Sequence, residues 1–277
     1  MSSSEIPKTI IRPGKFWERL NLHELWATRE LLIEMVRTDF RMRHRQTVVG
    51  ILWTVLQPLL AVSVFSIVFG YFAKFPSDGV PYPLFVLSGY VVWLFFGRAI
   101  ANSVAGLASN STLIGKVYIP PAYFIIVPVA TALVEALASM LILIVFFLYF
   151  AVVPPVQIVL FPLFIVMVVV TVMSFSLWLA PLNANLRDIQ NVLPSLLQFW
   201  FFLTPVVYPV SLFPEALRPL SYLNPMTAAI EGARWSLLGT SPPSLLGLCI
   251  SIVVTVALIV PGTMFFAGQT RVVADRI

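Results

Sequence analysis

Charge is scarce in this chain. Asp, Glu, Lys and Arg together make up 10% of its 277 residues, against about 25% in an ordinary soluble domain, while 59% are hydrophobic. One cysteine, Cys249, excludes an intrachain disulfide, and its apolar surroundings mark it as a small packing residue. The two histidines, His23 and His44, both precede the first long apolar run, and no paired metal-ligand spacing is found. Gly115-Lys116 is followed by Val117, and Asn110 stands where the first glycine of a phosphate-binding loop would be, so nucleotide hydrolysis by such a loop is not expected. No catalytic constellation and no bound metal or cofactor are expected. The net charge of +5 does not indicate nucleic acid: nine of the 17 Lys and Arg residues lie in the first 45 positions, so the basic charge is local.

What is abundant is long apolar sequence. Several runs exceed the roughly 18 residues that a bilayer-spanning helix requires, which predicts an all-α integral membrane protein. Six spans are expected, at about 46–73, 84–108, 122–150, 158–182, 193–210 and 244–268. They form a transmembrane domain over 46–268, between an N-terminal segment 1–45 and a tail 269–277. The stretch 211–240, interrupted by Pro214, Pro219 and Pro225, is expected to dip in and return or to lie on the outer surface. The first 45 residues are polar and charged, so no cleavable leader is expected and the first apolar span must direct insertion.

Placing both termini in the cytoplasm puts 13 basic residues inside and only Lys74 and Arg218 outside, in line with the positive-inside rule. Arg98 and Arg234 lie in or near spans and are left out of that count. The segment "ERLNLHELWATRELLIEMVR" sets Leu22, Leu25, Trp26, Leu32, Ile33 and Val36 on one helical face, with Glu24, Arg29, Glu30 and Arg37 on the rest. It reads as an amphipathic helix in the cytoplasmic interface, and a helix packed on a soluble partner has the same pattern.

Arg41, Arg43 and Arg45 stand directly before an uncharged run that lasts until Lys74. Anchoring the cytoplasmic end of span one is one complete explanation of them. Within the spans, Arg98 and Glu135 lie at similar depth on adjacent antiparallel segments. Intramembrane charges are costly and are usually paired or functional, so the two form a structural pair or a proton relay. The run "QFWFFLTPVVYP" concentrates Phe199, Trp200, Phe201, Phe202 and Tyr208. Four consecutive aromatics cannot share one helix face, so lipid, neighbouring spans and a conduit are all candidate surroundings.

Four blocks together resemble the membrane subunits of type-2 ABC exporters of lipid-linked polysaccharides, the O-antigen, capsule and teichoic-acid exporters. They are "RMRHRQTVVGILWTVLQPLL", "YPLFVLSGYVVWLFF", "LNANLRDIQNVLPSLLQFWFFLTPVVYP" and "LNPMTAAIEGARWSLLG", in order along nearly the whole chain. The resemblance implies a homodimer in a bacterial cytoplasmic membrane, with two copies of a separate ATPase that hold the ATP and Mg. It implies that undecaprenyl-pyrophosphate-linked polysaccharide passes outward between two protomers, along a path partly lined by aromatics such as those at 199–202 and 208. The pyrophosphate of such a substrate, arriving from the cytoplasmic leaflet, would be captured by Arg41 and Arg45, since guanidinium binds phosphate oxygens through paired hydrogen bonds, and Arg43 would anchor. It matches 18–37 to an interface helix and 211–240 to outer gate helices. It also matches Ser109, Asn110, Leu113, Ile114, Lys116 and Tyr118 to the element that couples the ATPase to the spans. Two other readings are a type-2 exporter of drugs or lipids, and a channel or scaffold subunit that does not pump.

Overall fold

The computed structural model describes residues 27–44, 48–110, 119–186 and 188–275. Among them regular structure is entirely helical, and five helices are long and apolar enough to cross a membrane. These five are Val55–Phe72, Tyr82–Ser109, Tyr123–Tyr149, Val156–Asn185 and Leu245–Gln269.

Helix α1 (Arg29–His44) lies against the start of α4 (Tyr123–Tyr149), where Thr28 and Tyr123 share a hydroxyl hydrogen bond. This defines the near end of the bundle. The side of α1 that is partly covered carries Leu32, Met35, Val36 and Phe40, the 3-and-4 spacing of a helix laid along a surface. Ile33, expected on that face, points away at 47% exposure. Leu22, Leu25 and Trp26 lie outside the described residues. Because α1 continues to His44, Arg41 and Arg43 belong to its last turns rather than to the foot of the first span.

Helix α2 (Val48–Phe65) continues as a π-helical run, Ser66–Phe72. Its contact with the bundle is slight: Val62 is buried, whereas Leu56, Leu60, Val64 and Ile67 face outward. Helix α3 (Tyr82–Ser109) is the central element, with Leu84, Phe85, Phe96, Ile100 and Leu107 fully enclosed by α4 and by α5 (Phe161–Asn185). Lipid removes the hydrophobic drive between helices, so close packing and small residues hold such crossings. Gly106 illustrates this: a Cβ there would stand 2.2 Å from the Phe124 carbonyl oxygen. Nearby, the Ser103 hydroxyl donates to the Ile125 carbonyl at 3.2 Å. Helix α5 in turn carries α9 (Leu245–Asp275) through Trp178, whose indole donates to the Leu258 carbonyl at 2.9 Å and stacks on Phe265.

The expected fifth crossing is α6 (Asp188–Leu203), with 16 residues, or about 24 Å of rise, short of a hydrocarbon core of about 30 Å. The chain then turns through Thr204–Tyr208 at the far end. A short helix α7 (Arg218–Ser221) leads into α8 (Pro225–Leu238). Helix α8 does not lie loosely on the surface. Met226, Ala228, Ala229, Ile230 and Ala233 are fully enclosed between α3, α5 and α9. Gly232 meets the Phe164 ring so closely that a Cβ would fall within 2.4 Å of three ring atoms. Asn224 caps α8 by accepting from the Met226 N–H, and Gly239, at φ +69°, closes it in the left-handed conformation that glycine adopts without strain.

Candidate functional site

Polar side chains at membrane depth are the natural candidates in a bundle this apolar. The first group joins three helices. Arg98 of α3 donates from Nη1 to Glu135 Oε2 of α4 at 3.3 Å, and from Nη2 to Gln57 Oε1 of α2 at 2.8 Å. The Arg98 and Glu135 side chains are 25% and 10% exposed. A guanidinium has five N–H donors in a fixed fork, so one arginine can hold two neighbours. Gln57 escaped the sequence reading because a lone amide in an apolar run carries no pattern.

The second group holds the break after α6. Pro205 ends the helix, which frees backbone groups inside the protein, where irregular chain is tolerated only if it is satisfied by neighbours. Three consecutive carbonyls are taken up by two long side chains. Arg234 of α8 donates from Nη1 to the Pro205 carbonyl at 3.2 Å and from Nη2 to the Val206 carbonyl at 2.8 Å. The Tyr82 hydroxyl donates to the Val207 carbonyl at 2.6 Å. Arg234 is 2% exposed, and its Cζ stands 3.7 Å over the Phe85 ring. Gly89 leaves room for it, since a Cβ there would lie 2.6 Å from Nη2. One turn earlier, Glu231 accepts from the Tyr222 hydroxyl. Burial holds the Glu231 carboxyl above its ordinary range, against the lowering pull of that hydroxyl and of Arg234. Asn224 completes the group, accepting from the Trp200 indole at 3.0 Å and donating to the Thr204 hydroxyl at 2.8 Å.

The four consecutive aromatics divide two and two. Trp200 turns into the bundle against Phe96 and Phe175. Phe201, 7% exposed, packs on Phe65 and Trp93. Phe199 and Phe202 point out of the bundle at 70% and 52% exposure. Tyr208 donates to the Phe202 carbonyl at 2.8 Å. With Phe69, Phe75, Phe202 and Phe213 it lines a cavity of about 310 Å³ at the far end. Of the five aromatics singled out in the sequence, Trp200 and Phe201 are thus core side chains, whereas Phe199, Phe202 and Tyr208 remain accessible.

At the near end, Asn183 is 1% exposed. It donates to the Val104 carbonyl of α3 and accepts from the Gln190 N–H in the first turn of α6, so it ties the polar break between α5 and α6 to the central helix. Ser109 and Asn110 close α3 by donating to the carbonyls of Ala105 and Gly106. Leu113, Ile114, Lys116 and Tyr118 lie outside the described residues, as does Arg45. Arg41 is exposed. Arg43 instead donates to Asp39 at 2.9 Å. Among the described residues no cluster of His, Cys, Asp and Glu suits a metal ion.

Fold and site together define an all-helical, multi-pass membrane protein whose polar groups brace the bundle. Residues 30–238 match the family model of the ABC-2 type transporter, and the chain belongs to that family. It is 30% identical over 210 residues to the O-antigen export system permease protein RfbA of Myxococcus xanthus, covering 75% of this chain and 80% of that one. An O-antigen export system permease protein RfbA of Klebsiella pneumoniae is 23% identical, with 73% and 77% covered. The polysialic acid transport protein KpsM of Escherichia coli is 24% identical, with 71% and 76% covered.

Proposed function

We propose that this chain is the membrane subunit of an ATP-driven exporter that moves an undecaprenyl-pyrophosphate-linked polysaccharide out of the cytoplasm between two copies of itself. The observation that carries the reading is the similarity to an O-antigen export permease along four-fifths of that protein's length. The family membership supports a separate ATPase partner, with ATP and Mg held there. The charge bias supports a bacterial cytoplasmic membrane topology with the near end inside. Ser109, Asn110 and the segment after them, including Leu113, Ile114, Lys116 and Tyr118, are then the element that receives the ATPase stroke. Phe199, Phe202 and Tyr208 supply apolar ring faces on which sugar rings can stack without fixing one hydroxyl pattern. Deleting the chain should abolish the surface polysaccharide and leave its lipid-linked precursor inside the cell. Undiminished surface polysaccharide in the deletion strain would remove the reading.

The cytoplasmic leaflet is where a lipid pyrophosphate would be taken up. Arg41 and Arg45 are the proposed head-group ligands, and Arg43, paired to Asp39, is left to anchor. Replacing both Arg41 and Arg45 with Lys keeps the charge and removes the paired hydrogen bonds. That variant should insert normally, yet export and substrate-stimulated ATPase activity should fall about tenfold or more, as the loss of two charge-assisted bonds implies. Wild-type export by it would leave anchoring as the whole role of the cluster.

A further inference from the structure

Helix α6 is packed along one stripe only. Ile189, Leu193, Leu197, Trp200 and Phe201 are covered by the bundle. On the opposite side Asn191, Ser195, Gln198 and Phe202 are all exposed. Their 4, 3, 4 spacing places them within about 60° of one another around the helix. None of the three polar side chains has a hydrogen-bond partner among the described residues. The stripe runs inward from the near end. Asn191 stands in the first turn of α6, next to Gln190, and Gln198 is two residues from Trp200, which packs against Phe96 of α3 and Phe175 of α5 in mid-bundle.

Lipid tails cannot satisfy an amide or a hydroxyl, and polar side chains in spans face a partner or a water-filled space. We infer that Asn191, Ser195 and Gln198 form a neutral hydrogen-bonding track along α6 that contacts the hydroxyls of the passing glycan; this rests on the export reading above. Three features favour a glycan over other occupants. Above Asp188 the helix carries no charge, so the track would hold neither an ion nor a cationic drug tightly. Amides and a hydroxyl both donate and accept, so they can exchange partners with successive hydroxyls as a chain moves. The track also ends at Phe202, which lines the aromatic cavity at the far end, so the amide track, about 10 Å long, leads into stacking faces. The flank beside it, Val192, Leu196 and Leu203, is exposed and apolar and is available to a second copy of the chain without covering the track.

The test uses the full chain in cells that make the glycan, with Cys249 replaced by alanine. Cysteine is introduced singly at Asn191, Ser195 and Gln198, and at Leu141, an exposed apolar position on α4, as a lipid-facing control. The probe is the charged, water-soluble reagent 2-sulfonatoethyl methanethiosulfonate. The three track positions should react and the control should not. Blocking glycan synthesis should speed the reaction at the track about tenfold, the factor expected of a well-occupied site. Separately, the triple variant Asn191→Leu, Ser195→Ala, Gln198→Met should keep wild-type membrane levels and lower export about tenfold. No reaction at the track would mean lipid contact. A disulfide forming between copies at Asn191→Cys or Gln198→Cys would mean a protomer interface. Reaction unaffected by glycan, or full export by the triple variant, would mean no glycan contact. Each of these overturns the inference. If the deletion strain loses its surface glycan while any of them is seen, the export reading survives and only the track falls.

Discussion

Arg234→Met should strongly destabilise the far end of the bundle. The substitution roughly preserves apolar length, but it leaves the Pro205 and Val206 carbonyls buried without donors. Each such orphan costs about 1–3 kcal/mol, so the expected loss is roughly 2–6 kcal/mol, a large part of the 5–15 kcal/mol that holds a typical protein folded. Arg234→Lys should fall between, because a single ammonium cannot reproduce the fork that reaches both carbonyls. Gly89→Ala should act through the same contact, since its Cβ would displace Nη2. It should therefore cost less in the Arg234→Met background than alone, the non-additivity expected of groups that share a partner. Thermal unfolding of the detergent-purified chain measures all three. A midpoint for Arg234→Met equal to wild type would mean that the turn is held by other contacts, with Tyr82 the first to examine.

That turn also marks the limit of what the sequence discloses. The long apolar runs declare themselves because burial in lipid demands them, and five are helices of spanning length. Helix α8 is half legible: its sequence leaves a dip into the membrane and a place on the outer surface both open, and the structure encloses it because its surroundings are protein rather than lipid. A buried arginine is affordable there when backbone carbonyls and an aromatic face receive it; the carbonyls lie 28 and 29 positions away along the chain, and the ring, Phe85, lies much farther. Asn183 and Asn224 were invisible for the same reason: their contacts reach 79 and 24 positions along the chain. The aromatic run announced that four rings could not share a face. Only the packed stripe of α6 decides that Trp200 and Phe201 go inward and Phe199 and Phe202 outward. Helix α1 has the helical period its sequence announces, yet Ile33 lies just outside the covered side, which Met35 and Phe40 help to define.

Glu135→Gln should be the second severe substitution. The Arg98 charge stays at membrane depth with its counterion gone, and removing one member of a buried pair typically costs about 3–5 kcal/mol. The neutral amide keeps the size and one acceptor, so lost volume cannot account for the effect. Gln57 limits the damage only partly, because its carbonyl oxygen already accepts from Nη2 and offers no charge. The informative variant is the exchange Arg98→Glu with Glu135→Arg. An amide can present either its oxygen or its NH2 group, so Gln57 can turn to donate to a carboxylate at position 98 as it now accepts from a guanidinium. The exchanged pair should therefore recover a clear part of the stability that either single change loses, read as the thermal midpoint of the purified chain. A structural brace needs only the pair, so export should return with stability. A proton relay needs the carboxylate on α4, so export should stay low even where stability returns. An exchange no more stable than the worse single variant would show that the contact at 3.3 Å does not hold the three helices together.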